Sequence, residues 1–164
     1  MTQTLRRMQK KRAAGDDGFT LVELLVVVVI IGVLVAIAVP MYLNYRKGAA
    51  NKSAESDVRA AVSAVEQFYT ENGNSYPGNA TSAANADKLV FDKLKDGTAT
   101  TSTQTATLSP GNSMQYKNND TSYRICGKNA DGGVTYVYDS AVGGSVKKAT
   151  TQGTLQACID STTP

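Results

Sequence analysis

Apolar positions follow three successive patterns along this chain, and each predicts a different element. Residues 19–39 are apolar on every side, broken only by Thr20 and Glu23. With its flanks the stretch reaches about 25 residues; as a helix rising ~1.5 Å per residue it spans roughly 37 Å, beyond a ~30 Å hydrocarbon core. The run "VVVVII" at 26–31 favours a strand by propensity. A lone strand in lipid leaves its backbone unpaired, however, so a membrane helix is expected. Pro40 lacks an N–H and crowds the carbonyl of Ala36, which predicts a kink or loosening there. Gly32 lowers helix propensity or admits a close neighbour, so Gly32 and Pro40 bracket the stretch expected to loosen.

Beyond Pro40 the pattern becomes amphipathic. Ala54, Val58, Ala61, Val62, Val65, Phe68 and Tyr69 recur at three- and four-residue spacing. Lys52, Glu55, Asp57, Arg59, Glu66 and Glu71 mostly take the other positions. One long helix is predicted, its second half carrying a stripe for a sheet to cover. The stripe is too short for a coiled-coil seam. Asn72-Gly73 supplies its stop.

The third pattern is short and alternating. Residues 74–112 read as a connecting region: "YPG" at 76–78 as a turn, "ADKLVFDKL" at 86–94 as a short helix, and "TATTSTQTAT" at 98–107 as an exposed low-complexity loop, plain or glycosylated. Strands are predicted at 114–117, 122–126, 134–138 and 145–148, with hairpin turns at 118–120 and 131–133. Three or four antiparallel strands laid on the amphipathic helix make an α+β headgroup over 74–164.

Charge adds an orientation. The net charge is +3, and the first eighteen residues hold five basic residues (Arg6, Arg7, Lys10, Lys11, Arg12) against Asp16 and Asp17. From Phe19 onward twelve basic and twelve acidic residues balance, so no basic patch argues for nucleic acid. A basic leader before an apolar segment favours a cytoplasmic N-terminus and an external C-terminal domain; Arg46, Lys47 and Lys52 on the far flank weaken that bias without reversing it. A secretory signal peptide fits poorly: its apolar region is shorter, and its small-residue cleavage site follows that region. Here the small residue, Gly18, stands in front.

Histidine is absent, which removes His-based triads and His metal sites. No phosphate-binding Walker motif occurs. Cys126 and Cys158 read as a disulfide in an oxidising compartment, or as two unrelated buried thiols. A bridge closing about 33 residues is worth roughly 3–4 kcal/mol in the chain-entropy model.

Glu23 is the anomaly. An acid at a membrane-helix centre costs about 2.5–3.5 kcal/mol. One reading is that Glu23 reaches the interface from its place near the helix end. The other requires a cut after Gly18, which creates an amine on Phe19 one helical turn from Glu23. That amine, with a reference pKa of about 8, is mostly charged near neutrality and can pair with Glu23 of its own or a neighbouring helix.

The string Gly18-Phe-Thr-Leu-Val-Glu23 and the apolar run behind it resemble the class III signal of type IV prepilins, which pseudopilins share. The likeness is close over residues 18–45 and looser to Gly73. It implies removal of the basic leader 1–18 by a prepilin peptidase between Gly18 and Phe19, N-methylation of Phe19 by the same enzyme, and a role for Glu23 in assembly and register. Gly32 and Pro40 fall where many members carry those residues. The implied parts are a transmembrane or filament-core half at 19–45, an amphipathic half at 46–73 and the headgroup. A disulfide between Cys126 and Cys158 would bound a variable surface loop at 127–157.

By that resemblance the chain is a structural subunit, not an enzyme, and needs no cofactor. It would wait as a single-pass inner-membrane protein and then join identical subunits in an extracellular pilus with headgroups outward. Its partners would be the peptidase and methyltransferase, an assembly ATPase, a membrane platform protein, the lipid bilayer before assembly, and DNA or surfaces met through the filament. The alternatives are a pseudopilin of a type II secretion or DNA-uptake system and, remotely, a membrane-anchored enzyme. The sequons at Asn51, Asn79 and Asn119 and the pair Lys147-Lys148 are weak signals that a solvated surface also explains.

Overall fold

The computed structural model describes residues 18–83 and 86–161. The basic leader expected at 1–18, with its five cations and Asp16-Asp17, lies outside the described residues except for Gly18. The chain divides into two units, Met1–Tyr42 and Leu43–Pro164.

The first unit is helical. Helix α1 (Leu21–Glu71) begins in it, and every described residue up to Tyr42 is exposed. The helical assignment runs unbroken through Gly32 and Pro40. A proline removes one intrahelical bond, and the turns on either side carry the helix across it. Nothing lies within 4 Å of a Cβ built on Gly32, so that face is open.

The second unit contains the rest of α1 and the predicted sheet. Seven strands follow: β1 (Ala80–Thr81), β2 (Lys88–Lys93), β3 (Ala99–Thr107), β4 (Asn112–Asn118), β5 (Tyr123–Asn129), β6 (Thr135–Asp139) and β7 (Lys147–Lys148). Helix α2 (Leu155–Asp160) closes the described chain. One five-stranded antiparallel sheet has the order β1-β4-β5-β6-β7, and β2 and β3 form a separate antiparallel pair. The fold is α+β.

Strand β5 is central, and its side chains alternate between two cores. Tyr123 and Ile125 join Val58, Val65 and Phe68 of α1, Met114 and Tyr116 of β4, and Tyr136 of β6. Cys126 turns the other way and packs with Val137, Ala149, Cys158 and Ile159. Period-two alternation explains why nearly all of β5 is buried: each face has its own helix or tail to cover it. Gly127 marks a close approach to α1, since an added Cβ there would come within 2.5 Å of Val58 Cγ2.

The stripe on α1 is largely as its periodicity predicts. Ala54, Val58, Ala61, Val65 and Phe68 are buried, and Val62 and Tyr69 are half-buried. Ala64 and Asp57 join the buried set. The helix stops as expected: Gly73 takes φ 64°, and the Asn74 N–H donates to the Tyr69 carbonyl at 3.0 Å.

The region 74–112 departs from expectation. Residues 88–93 form β2, not a helix, because Leu89 and Phe91 alternate with exposed neighbours and both enter the core. Residues 99–107 form β3, not a loop; its threonines are β-branched and suit an extended backbone beside β2. The turn expected at 76–78 lies instead at 72–74, while Pro77 bridges Leu94 and the Gly78 N–H donates to Lys93 O at 2.8 Å. The sheet also exceeds the three or four strands expected, because the short β1 adds to β4. The hairpin turns at 118–120 and 131–133 connect β4 to β5 and β5 to β6.

Candidate functional site

The residues around the expected cleavage point form a helix start with specific chemistry. Gly18, Phe19 and Thr20 precede the helix in irregular backbone, and Phe19 is 79% exposed. The Gly18–Phe19 bond therefore lies in open chain, where backbone is accessible to a protease.

Thr20 is the residue before the first helical turn, and Glu23 is the third residue within it. The Glu23 main-chain N–H donates to Thr20 Oγ1 at 3.2 Å, and Glu23 Oε2 accepts from the Thr20 main-chain N–H at 2.9 Å. The Thr20 hydroxyl also donates to Glu23 Oε2 at 2.8 Å. This reciprocal arrangement is a capping box, which satisfies two backbone donors that a helix start leaves unpaired. It also sets a negative charge at the positive end of the helix dipole. The spacing Thr-x-x-Glu in the sequence is the signal for this box, and it gives Thr20 a role beside the charge of Glu23. The Phe19 nitrogen is an amide here, and Glu23 bonds to Thr20.

Gly32 and Pro40 lie further along the same helix and touch neither Glu23 nor each other's turn. The residues between them, including Val33, Leu34, Val35 and Ile37, are all exposed. Helix α1 is long and apolar enough to cross a membrane.

In the second unit Cys126 and Cys158 are joined by a disulfide. The bond fixes α2 to the face of β5 away from α1, and Lys117 reinforces it with a 3.0 Å ion pair to Asp160. That pairing and a hydrogen bond from Gln156 hold the Asp160 carboxyl below its ordinary range, Gln156 contributing more. Arg124, buried beside the disulfide strand, donates through Nε to Asp139 Oδ2 at 3.0 Å and through Nη1 to the Ser161 carbonyl. The segment 127–157 bounded by the disulfide is not all surface loop: it holds β6, whose Thr135, Tyr136 and Val137 are buried.

Asp57 has a role that the periodicity hid. It is buried on α1 and accepts from the Ser109 main-chain N–H at 2.6 Å, from Ser109 Oγ at 3.1 Å and from Asn112 Nδ2 at 2.5 Å. Asn112 in turn accepts from Asn129 Nδ2 at 2.6 Å. A buried carboxylate held by neutral donors anchors the start of β4 to the helix. Among the described residues no group of three or more His, Cys, Asp or Glu can hold a metal ion.

Residues 15–39 match the family model described as the prokaryotic N-terminal methylation motif. Among curated proteins, the chain is 41% identical over 68 residues to a fimbrial protein of Neisseria meningitidis serogroup B, covering 42% of this chain and 39% of that protein. It is 37% identical over 83 residues to type II secretion system core protein G of Aeromonas hydrophila, covering 51% and 53%. It is 39% identical over 56 residues to the type IV major pilin protein PilA of Myxococcus xanthus, covering 34% and 26%. The chain thus spans about half or less of the length of these relatives. No solved structure matches it significantly.

Proposed function

We propose that this chain is a structural subunit of a surface filament, a type IV pilin, stored in the membrane through its apolar helix and assembled by packing that helix against copies of itself. The observation that carries the reading is the junction at the helix start. A glycine and an exposed phenylalanine stand just before a helix that carries an acid, Glu23, in its first turn and whose described residues up to Tyr42 are all exposed. The relatives include fimbrial and pilin proteins, which supports the same reading.

In this account a prepilin peptidase removes the basic leader after Gly18 and methylates the new amine on Phe19. The amine is then within one turn of Glu23. Glu23 keeps its bond to the Thr20 hydroxyl and exchanges the backbone bond for a cation, its own or a neighbour's. Moving apolar atoms from lipid into a bundle is nearly neutral, so packing and this charge pair set the geometry. Gly32 and Pro40 supply the stretch that loosens as the subunit leaves the bilayer. With no nucleotide motif in the chain, the driving energy comes from a partner ATPase acting through a membrane platform protein. The N-terminus is cytoplasmic before assembly.

The 37% identity to a type II secretion core protein favours a second reading, a pseudopilin that forms a short filament. The disulfide-tied C-terminus tilts the choice towards a pilus subunit. Mass spectrometry of the fraction sheared from cells tests the proposal. It predicts a chain that begins at methylated Phe19 and is abundant in that fraction. An unprocessed chain confined to the membrane overturns it.

A further inference from the structure

Two non-glycine residues adopt left-handed backbone among the described residues, Asn74 at φ 59° and Asp120 at φ 71°. Both line the same open cleft of about 560 Å³ in the headgroup. Asn and Asp adopt this region readily in turns, here after α1 and between β4 and β5. The volume lies within the ~300–1,000 Å³ usual for small-ligand sites.

One wall of the cleft is aromatic. Tyr69, at the end of α1, and Tyr76 have ring centroids 4.5 Å apart, inclined at 32°. Tyr76 rests in turn on buried Tyr123 at 5.0 Å, and Tyr123 on Tyr116 at 5.7 Å. The half-buried pair is thus the outer end of a stack anchored in the core.

The remaining wall is polar and held in place. Asn118 is buried; its Nδ2 donates to Pro77 O at 2.8 Å and Tyr76 O at 3.3 Å, and its Oδ1 accepts from the Asp120 N–H at 2.7 Å. One side chain therefore ties the tyrosine wall to the acidic wall. Lys95 is paired with Asp120, and Asp96 accepts from the Thr98 N–H at 2.9 Å. That hydrogen bond holds the Asp96 carboxyl below its ordinary range.

The chemistry narrows the ligand. The single lysine is already neutralised, which disfavours phosphate. The carboxylates are engaged, and no metal-holding cluster exists among the described residues. The rim is too polar for a lipid tail. An aromatic face beside carboxylate, amide and hydroxyl groups suits a molecule with one C–H face and a hydroxylated edge. We propose that this cleft binds a saccharide, with a pyranose ring laid on Tyr69, which Tyr76 backs, and its hydroxyls bonded by Asn74, Asp96 and Asp120. The rigid aromatic wall limits the ordering cost of binding. This site lies wholly in the second unit and does not depend on the filament reading.

Saturation-transfer NMR on the full chain in a detergent without a sugar headgroup tests it, with cellotriose and chitotriose as probes. The expected result is transfer to the ring C–H protons of at least one trisaccharide. Tyr69→Ala then weakens binding about tenfold through loss of stacking. Ser75→Arg, which fills the cleft from its exposed rim, abolishes binding without changing the melting temperature; it carries the test should Tyr69→Ala fail to fold. No transfer to either probe, or transfer unchanged in Ser75→Arg, overturns the proposal.

Discussion

The two parts of α1 on either side of Tyr42 use one secondary structure for opposite purposes. Up to Tyr42 the helix is apolar all round, and its large side chains, Val22 to Tyr42, are all exposed. From Ala54 to Phe68 most apolar residues fall on one stripe, where Ala54, Val58, Ala61, Ala64, Val65 and Phe68 are buried. The second part is covered by the chain's own sheet. The first has no covering among the described residues, and a contiguous apolar surface of this extent marks an interaction site. Helix propensity does not separate the two. The distribution of polar positions around the helix does.

A paired substitution puts the largest strain on that contrast. Phe68→Ala opens a cavity in the headgroup core and should cost about 3–5 kcal/mol in denaturant unfolding of the full chain in detergent. Ile30→Ala, the same kind of truncation on the exposed part, should leave headgroup unfolding unchanged. Equal shifts for the two variants would erase the distinction between the parts.

A second prediction sharpens what holds the far side of the sheet. Changing Cys126 and Cys158 together to serine should lower stability by about 3–4 kcal/mol, and reductant should do the same to the unmodified protein while leaving the variant unaffected. The loss should appear first in α2, measured by hydrogen exchange, because the smaller core around the disulfide contains little else.

The smallest effect concerns pH. Burial raises the phenols of Tyr116 and Tyr123, and a 2.6 Å hydrogen bond from Tyr123 to Glu66 adds to the shift of Tyr123. A raised acid favours the neutral form in the folded state. The stabilisation is therefore complete below the unfolded value of about 10 and declines as pH rises beyond it. Tyr123→Phe should cost about 1 kcal/mol at neutral pH and flatten the alkaline limb of the melting profile, since it removes the phenol that must ionise.

Strong periodicities made most of this fold legible. Ala54, Val58, Ala61, Val65 and Phe68 repeat at helical spacing, and Tyr123 and Ile125 alternate as a strand should. β2 was misread because "KLVFDK" is too short to separate the two periods by eye, although Leu89 and Phe91 alternate. β3 was hidden by polarity: its threonines look like linker, and Gln104 reaches Glu71 at 2.8 Å in a contact between distant segments. Ser102 also bonds Glu71, and together with Gln67 and Gln104 it holds that carboxyl below its ordinary range, Ser102 contributing most. Asp57 escaped because burial of an acid depends on Ser109 and Asn112, more than fifty residues away. At the site, Glu23 stands out for its charge, while its partner Thr20 is signalled only by the Thr-x-x-Glu spacing that the geometry of the helix start bears out.

The central claim is that Glu23 is kept among apolar residues for what it does between subunits, beyond closing its own helix start. Electron microscopy of the surface fraction from cells making Glu23→Ala tests this most directly, with cleavage after Gly18 verified in the same cells. The account predicts a processed subunit that accumulates in the membrane and yields only traces of filament. Filaments of native number and order from the processed variant would contradict it.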